Sequence, residues 1–303
     1  MDREDFLARL AELCESEYLI LYAWALMDNH FHLLVRTGRQ SLSSNMRKLL
    51  TGYVVNFNRR HKRYGHLFQN RYKSIVCEEE PYLLELSRYI HLNPVRAGIV
   101  KDMAELSTYP WTGHSAIIGR VKRGWQDIDA VLGYFGGKKK EAILGYAAFV
   151  LDGISQGKRP DLIGGGLIRS MGGWAQVLSL RRQGIKVASD DRILGSSVFV
   201  ETVLSEADAR ELETLRLSAS IGDLPSLARK ITRVEGITES ALRSGSRQRK
   251  VSRARRLFCQ LAVGKMGYPG AEVARFLGVS TSAVVRSANS EDLPQVQNYL
   301  KVY

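Results

Sequence analysis

The sequence has 303 residues, 45% of them apolar, which is enough for the cores of two or three domains and excludes the disordered and fibrous classes. Its 44 Lys and Arg residues exceed its 31 Asp and Glu residues, and the net charge of +13 favours a polyanionic partner, nucleic acid before an anionic membrane. No apolar run reaches the roughly 20 residues of a membrane span, and the three distant cysteines fit neither a disulfide framework nor a CxxC metal site. We therefore expect a soluble intracellular protein.

The positive charge is concentrated in two segments. Residues 36–73 contain ten Lys and Arg and no acidic residue, and residues 241–288 contain ten against one. A charge run is usually a solvated face. In the first segment, however, aromatic rings interleave with the cations, as stacking platforms do in proteins that bind single strands, although some of these rings must also be core. The rings are those of Tyr53, Phe57, Tyr64, Phe68 and Tyr72.

The N-terminal part predicts a helix followed by a hairpin. Apolar residues recur at helical spacing over residues 3–15, which indicates an amphipathic helix. Residues 19–26 form an apolar run of strand length, and residues 30–36 again have an extended pattern. Because Asp28-Asn29 is a turn signal, we expect the two runs to pair as a hairpin.

A second helix and a third strand follow. Ser43 is a candidate N-cap for a helix that continues to Phe57. Residues 58–66 have the composition of a basic loop, and residues 67–77 have the pattern of a strand.

The next helix has signals at both ends. Pro81 follows three glutamates, and proline fits a first helical turn while carboxylates favour the positive end of the helix dipole. Pro94 disfavours helical geometry at the residue before it. This helix should therefore end near Leu92 or Asn93.

The sequence predicts three parts. Residues 1–118 form the first, with mixed helices and strands, and residues 241–303 form a basic C-terminal module. Residues 119–240 between them indicate a mostly helical linker region of unknown role. Its Gly164-Gly165-Gly166 triplet is expected to be a flexible joint.

His30-Phe31-His32 is the sharpest local feature. In a strand, residues two apart project from the same face, so both imidazoles would converge while Phe31 packs on the opposite side. That arrangement suits a divalent metal, although two histidines in a strand are more often ordinary surface or hydrogen-bonded residues. A metal site would also need a third ligand and a reacting group.

The Pro81 helix offers both of these. Tyr82, Leu86, Tyr89 and Asn93 fall on one helical face, a stripe that is equally consistent with core packing. A tyrosine one turn before an amide suits metal-assisted attack on a phosphodiester, with Tyr89 as nucleophile and the Asn93 oxygen completing the metal shell. A phenol has a reference pKa of about 10 and needs such help to become a phenolate.

Six motif-bearing segments follow one another in the first third of the chain. They are Met27–Val35, Phe57–His61, Gly65–Gln69, Arg71–Lys73, Tyr82–Leu84 and Arg88–Gly98, with Tyr109–Trp111 as a trailer. Together they resemble the HUH-type single-tyrosine transposases, and among these the REP-associated, IS200-like tyrosine transposases.

The resemblance implies an α+β fold with a ferredoxin-like antiparallel sheet, whose central strand presents His30 and His32 to Mg²⁺ or Mn²⁺. Asn93 falls where the family places its third ligand, and Tyr89 matches the family's nucleophile. The implied activity is that of a metal-dependent transposase and endonuclease that cleaves and rejoins single-stranded, hairpin-forming DNA. Tyr89 would attack a phosphate, leaving a 5′-phosphotyrosine and a free 3′-OH that can reverse the reaction.

The resemblance also implies DNA-binding cations and shows one departure. Arg59, Arg60, Arg71 and Lys73 would bind the DNA backbone. Family members begin with a further strand before the first helix, whereas this sequence starts at that helix, so we expect the N-terminal strand of the sheet to be missing. The resemblance further implies a cytoplasmic, nucleoid-associated bacterial protein, and it leaves a homodimer open.

The C-terminal module has a helical pattern. A basic helix is expected from Ser246 to about Met266, and a short helix over Glu272–Leu277. Gly278 marks a turn, and a last helix is expected over Ser280–Ala288.

This module resembles the helix-turn-helix of Trp repressor and of bacterial replication initiators. Ala274 lets two helices approach, and Val279 and Val284 anchor the second helix, which would enter a major groove of duplex or hairpin DNA. A basic protein-interaction domain is the alternative. The residues expected to face bases or phosphates are Ser280, Thr281, Ser282 and Arg286, and those expected to reach the backbone are Arg247, Arg249, Lys250, Arg253 and Arg256.

Three functional hypotheses remain open on the sequence. The first is the metal-dependent transposase acting through Tyr89 and tethered by the C-terminal module. The second is a DNA-binding regulator derived from such an enzyme and no longer catalytic, which the missing strand favours. The third, a zinc hydrolase using His30 and His32, lacks a further carboxylate or histidine at suitable spacing and ranks last.

Overall fold

A computed structural model describes residues 1–157, Arg159, Leu162, Asp190 and residues 192–302. They fall into two compact units, Met1–Glu201 and Thr202–Tyr303. The described part is α+β, as predicted. The Gly164–Gly166 triplet lies outside the described residues, and the division into three parts stays a prediction.

The first unit begins with the predicted helix and hairpin. Helix α1 spans Asp2–Glu15, and the strands β1 (Leu19–Leu26) and β2 (Phe31–Thr37) pair in antiparallel fashion. Ala25 lies opposite His32 in this pairing. The hairpin therefore confirms the prediction, with β2 starting one residue later than expected.

Helix α2 spans Leu42–Arg60, and its N-cap is Ser41 rather than Ser43. Ser41 accepts a hydrogen bond from the Ser44 backbone at 3.4 Å. The helix also takes in the start of the predicted basic loop. Its last turn places Arg59 and Arg60 at the negative end of the helix dipole, which favours their helical conformation.

The predicted strand at 67–77 is wrong for most of its length. Only β3 (Val76–Cys77) is extended, and it pairs in parallel with β4 (Ile193–Leu194) in a separate two-stranded sheet. Part of the segment before β3 lines a cavity together with β2. The cavity separates this segment from β2, so the segment does not pair with β2 as a strand. The hairpin sheet consequently has two strands in the described residues, and the predicted ferredoxin-like sheet is not formed there.

Helix α3 spans Glu79–Arg96 and runs past the predicted stop, with Pro94 inside it. Leu92 and Pro94 are both buried. A residue before proline prefers extended geometry. Burying Leu92 and Pro94 in the core contributes more free energy than this local preference costs, so the helix continues.

Strand β1 is buried on both faces. Leu21 and Trp24 pack with α1 and α2, whereas Tyr22 and Ala23 pack with α3. An irregular register between Leu21 and Ala23 permits this pattern, since a strict two-residue alternation would put Leu21 and Trp24 on opposite faces.

Further helices follow in the first unit. They are α4 (Met103–Thr108), α5 (His114–Ile117), α6 (Ile128–Leu132), a 3₁₀ turn (Gly133–Phe135) and α7 (Lys139–Asp152). Backbone hydrogen bonds from Gly113 to Trp24 and from Asp127 to Leu21, each 2.9 Å long, cover the second edge of β1. Residues well beyond position 118 therefore share one core with the hairpin.

The second unit is helical. Helix α8 (Ser197–Ile221) continues into it and is followed by α9 (Leu224–Glu235), α10 (Glu239–Leu242), α11 (Arg249–Cys259), a π-helical turn (Gln260–Lys265), α12 (Gly270–Leu277), α13 (Thr281–Ala288) and α14 (Pro294–Val302). None of the described helices is long and apolar enough to cross a membrane.

Candidate functional site

Two histidines converge at the start of β2. The ring centroids of His30 and His32 lie 5.0 Å apart, with His30 exposed and His32 half-buried. Phe31 between them turns to the other face and packs on Phe6 at 4.9 Å. The alternation of the strand thus brings the two imidazoles together, as the sequence pattern predicted.

The two imidazoles have different surroundings. His30 Nδ1 lies 2.7 Å from Asn29 Oδ1 in the turn. Burial, with a smaller effect of His30, lowers the pKa of His32 to about 4. His32 is therefore neutral at neutral pH, which is the form that ligates a metal.

Tyr89 approaches the same place from α3. Its ring centroid is 6.4 Å from that of His32, and the two planes are nearly perpendicular. A cavity of about 270 Å³ lies beside both rings and is also lined by Tyr72 and Lys73 from the segment before β3. The structure thus gathers a neutral imidazole, a phenol and a cation around one opening.

Asn93 lies one turn after Tyr89 on α3. It is buried, and its side-chain Nδ2 has no hydrogen-bond partner. The buried amide of Asn93 therefore keeps part of its hydrogen-bonding capacity unused among the described residues.

No group of three or more His, Cys, Asp or Glu residues that could hold a metal occurs in the described part of the chain. A metal on the histidine pair would therefore need a ligand of another type, such as the Asn93 amide. The zinc hydrolase hypothesis has no ligand set among these residues.

Sequence reasoning missed Arg96. Its guanidinium lies over the Tyr89 ring at 5.1 Å from the centroid, and its Nη1 donates to the Tyr89 carbonyl oxygen at 3.2 Å. The spacing of seven residues along a helix would have indicated this contact, but the helix was predicted to end before Arg96.

The cations predicted for the first DNA surface differ in their availability. Arg59, Arg71 and Lys73 are exposed. Arg60 is instead bonded to Asp2 and Asp5 of α1, which offset its charge. The prediction that Arg60 binds DNA is therefore weakened, because the two carboxylates compete with a phosphate.

The aromatic residues of the basic segment 36–73 also differ in their exposure. Tyr53 packs on Phe6 at 5.4 Å and on Phe68 at 6.2 Å, so these rings serve the core. Tyr64 is 97% exposed. Of the five rings, Tyr64 is the one whose face is open for stacking, while Tyr72 lines the cavity.

In the second unit, α12 and α13 are joined by a short turn. Gly278 ends α12 in the left-handed region, with φ of 68°, and Ser280 caps α13 by accepting from the Ala283 backbone. Val284 is fully buried, and Val279 packs against the same core. Ser280 is thus occupied as a cap, whereas Thr281, Ser282 and Arg286 are exposed.

The five cations predicted to reach the DNA backbone from the second unit fall into two groups. Arg247, Arg249 and Arg253 are exposed. Lys250 donates to the Gly236 carbonyl at 3.2 Å, and Arg256 donates to a carbonyl near the end of the module. The first three are the stronger candidates for phosphate contacts.

The comparisons with known proteins bear on the first unit. Residues 1–93 match the family Transposase IS200 like. The matched range includes His30, His32, Tyr89 and Asn93, and it supports a transposase or other DNA-processing role. No curated protein and no solved structure matches the chain.

Proposed function

We propose that the protein is a metal-dependent transposase that cleaves and rejoins single-stranded, hairpin-forming DNA through a phosphotyrosine at Tyr89. The observation that carries this proposal is the 6.4 Å approach of Tyr89 to His32, within a segment that matches the transposase family. Lys73 on the same cavity supplies a cation for the phosphate.

His30, His32 and Asn93 would hold Mg²⁺ or Mn²⁺. Two observations favour this set: the 5.0 Å separation of the imidazole rings and the place of Asn93 on α3, one turn after Tyr89. A divalent cation bound there supplies Lewis-acid polarisation of the scissile phosphate. The neutral state of His32 leaves a ring lone pair for ligation.

Tyr89 is the nucleophile in this proposal. Its oxygen forms a bond to phosphorus and loses its proton to a base, while the bond from phosphorus to the 3′ oxygen breaks and the leaving oxygen takes up a proton as 3′-OH. The DNA is left with its 5′ end on Tyr89. Attack by a 3′-OH on the phosphotyrosine reverses these bond changes and rejoins the strand.

In this proposal the exposed cations of the first unit bind the single strand, and those of the second unit bind duplex DNA. Arg59, Arg71 and Lys73 would follow the backbone of the single strand, and Tyr64 would stack on a base. In the second unit α13 would enter a major groove. Its exposed side chains are Thr281, Ser282 and Arg286, with Arg247, Arg249 and Arg253 available for phosphates.

The proposal is tested by incubating the full chain with labelled single-stranded hairpin oligonucleotides and Mn²⁺, Mg²⁺ or EDTA, followed by a denaturing gel. We expect a metal-dependent covalent adduct that Tyr89→Phe abolishes. Tyr82→Phe, a half-buried tyrosine two turns earlier on α3, is the matched control and should retain the adduct. An adduct that persists in Tyr89→Phe would reject the assignment.

A DNA-binding regulator is the second candidate, and the two-stranded hairpin sheet of the described residues favours it. A smaller sheet gives α3 less support, and a catalytic tyrosine needs rigid positioning. This candidate predicts binding of the same hairpins with no covalent adduct in any metal. Electrophoretic mobility shifts beside the denaturing gel separate the two functions.

A further inference from the structure

The cavity beside His32 and Tyr89 follows the free edge of β2. Five consecutive residues of this strand, Phe31–Val35, line the cavity. Successive side chains of a strand point to opposite faces, so a space that touches all five lies at the edge of the strand. Among the described residues, no strand pairs with this edge.

The backbone of β2 presents polar groups at the same edge. On β1, Trp24 and Leu26 direct their backbone hydrogen bonds to residues 111–113 on the far side of the hairpin. Phe31 lies opposite Leu26, and Leu33 lies opposite Trp24. In an antiparallel pair such opposed residues both turn their N–H and C=O groups outward, so Phe31 and Leu33 direct theirs to the cavity. Outside the hairpin, these groups have no hydrogen-bond partner in the described part of the chain.

The remaining walls are aromatic and apolar. Leu86 and Ile90 of α3 form one wall, and Tyr72 lies on the segment before β3. Tyr72 is half-buried, and its ring contacts no other ring of the described residues. A flat apolar space with hydrogen-bonding groups along one edge matches a nucleobase, which stacks through its face and bonds through its edge.

The size and position of the cavity favour one base of the DNA. Its volume of about 270 Å³ is below the roughly 300 to 1,000 Å³ of pockets that hold drug-sized ligands, so a single ring system fits. Lys73 and Ser74 line the cavity and are exposed, so a strand can enter from solvent.

The charge of the lining also favours DNA. Lys73 is a cation, and none of the described lining residues is acidic. A peptide strand added to the β2 edge is the alternative occupant. A phosphate-bearing chain accounts for the cation as well as for the polar edge, so we favour the base.

We propose that this cavity is a nucleobase pocket for the nucleotide next to the scissile phosphate. The base stacks on Tyr72, and its edge bonds to the backbone groups of Phe31 and Leu33. This inference rests on the proposed function, because it takes single-stranded DNA as the substrate. It adds a preference for a base at one position, close to Tyr89.

An abasic scan tests the pocket. The probes are labelled hairpin oligonucleotides in which single nucleotides of the unpaired tails are replaced, one at a time, by an abasic residue. Fluorescence anisotropy measures their affinity for the Tyr89→Phe chain, which cannot form the adduct. We expect one position to lose affinity at least about fivefold, the scale of one base–aromatic stack, and the other positions to change little.

Tyr72→Ala, placed in the same Tyr89→Phe chain, identifies the wall that holds the base. It should weaken binding of the intact hairpin by a similar factor and make the sensitive position insensitive, because the same contact is already lost. Tyr72→Phe keeps the ring and should retain both properties. Tyr134→Ala is the matched control, since Tyr134 is a tyrosine of the first unit that is 51% exposed and lies outside the cavity lining.

The outcomes separate the pocket from the proposed chemistry. Equal affinity for every abasic position would overturn the pocket and favour a peptide strand at the β2 edge. An abasic penalty that persists in Tyr72→Ala would also overturn it, provided that circular dichroism shows the variant folded. The adduct assay on the unaltered chain is independent of these affinities, so a missing adduct would reject the nucleophile and not the pocket.

Discussion

At the residue scale, Tyr89 is held from two sides. The edge of one ring in the His32–Tyr89 pair faces the other at 6.4 Å between centroids, and the Arg96 guanidinium lies over the Tyr89 ring while donating to the Tyr89 carbonyl oxygen. A cation over an aromatic ring is worth about 0.5 to 2 kcal/mol, and the hydrogen bond adds to the fixing of the ring. Arg96 is therefore a positioning residue for the proposed nucleophile.

Arg96→Gln tests this role. We expect the rate of adduct formation to fall about tenfold, since 1.4 kcal/mol of lost interaction corresponds to that factor. Arg96→Lys should recover part of the rate because it restores the charge without the planar fork. Single-turnover kinetics on a hairpin substrate measure the rate, and an unchanged rate in Arg96→Gln would reject the role.

A buried histidine pair predicts pH-dependent stability. His91 Nδ1 lies 2.6 Å from Tyr146 Oη, and burial lowers the pKa of His91 well below its usual value and that of His114 to about 4. The unfolded chain binds protons below about pH 6.5 while the folded chain does not. The free energy of unfolding should therefore fall as the pH drops from 6.5 toward 4.

The loss should approach about 1.4 kcal/mol per pH unit for each histidine. Urea denaturation at pH 7.0 and pH 5.0 measures it, and tryptophan fluorescence reports the first unit because all four tryptophans precede residue 202. His114→Gln should make the dependence on pH shallower. A stability that is equal at the two pH values would contradict the burial of this pair.

At the element scale, the turn between α12 and α13 depends on a single glycine. Gly278 has φ of 68°, and a Cβ there would lie 3.2 Å from the Arg243 carbonyl oxygen. Gly278→Ala should cost about 1 kcal/mol of unfolding free energy, because an L side chain is strained in this region.

Circular dichroism during urea unfolding checks this expectation. Gly245→Ala is the matched control, since Gly245 has open space and no left-handed backbone, and it should be neutral. Equal stability of the two variants would show that the turn tolerates a side chain. The predicted loss should also weaken the duplex binding that we propose for the second unit, because α13 follows directly from this turn.

The elements that the sequence predicted well are those whose signals are local. The hairpin follows from the two extended patterns around Asp28-Asn29, and α12 and α13 follow from the helical patterns on either side of Gly278. The end of α3 was mispredicted because it depends on the burial of Leu92 and Pro94 by distant residues. The strand at 67–77 failed for a related reason, since a strand needs a neighbour that its own sequence does not specify.

At the scale of the whole molecule, the candidate site was only partly predictable. The alternation of β2 predicts that His30 and His32 share a face, whereas the distance from His32 to Tyr89 depends on how α3 packs on the hairpin. The sequence likewise did not predict the ion pairs that join different helices. Asp2 and Asp5 bind Arg60 from more than fifty positions away, which weakens one predicted DNA contact.

The central claim is that Tyr89 forms a covalent phosphotyrosine bond to the DNA. Mass spectrometry of the adduct tests this claim most directly. Tryptic cleavage after Arg88 and Arg96 releases the peptide Tyr89–Arg96, which contains one tyrosine. After nuclease trimming of the hairpin, we expect this peptide to carry a nucleotide through a phosphate on Tyr89. A nucleotide found on any other residue, or an unmodified Tyr89 peptide in a purified adduct, would contradict the account.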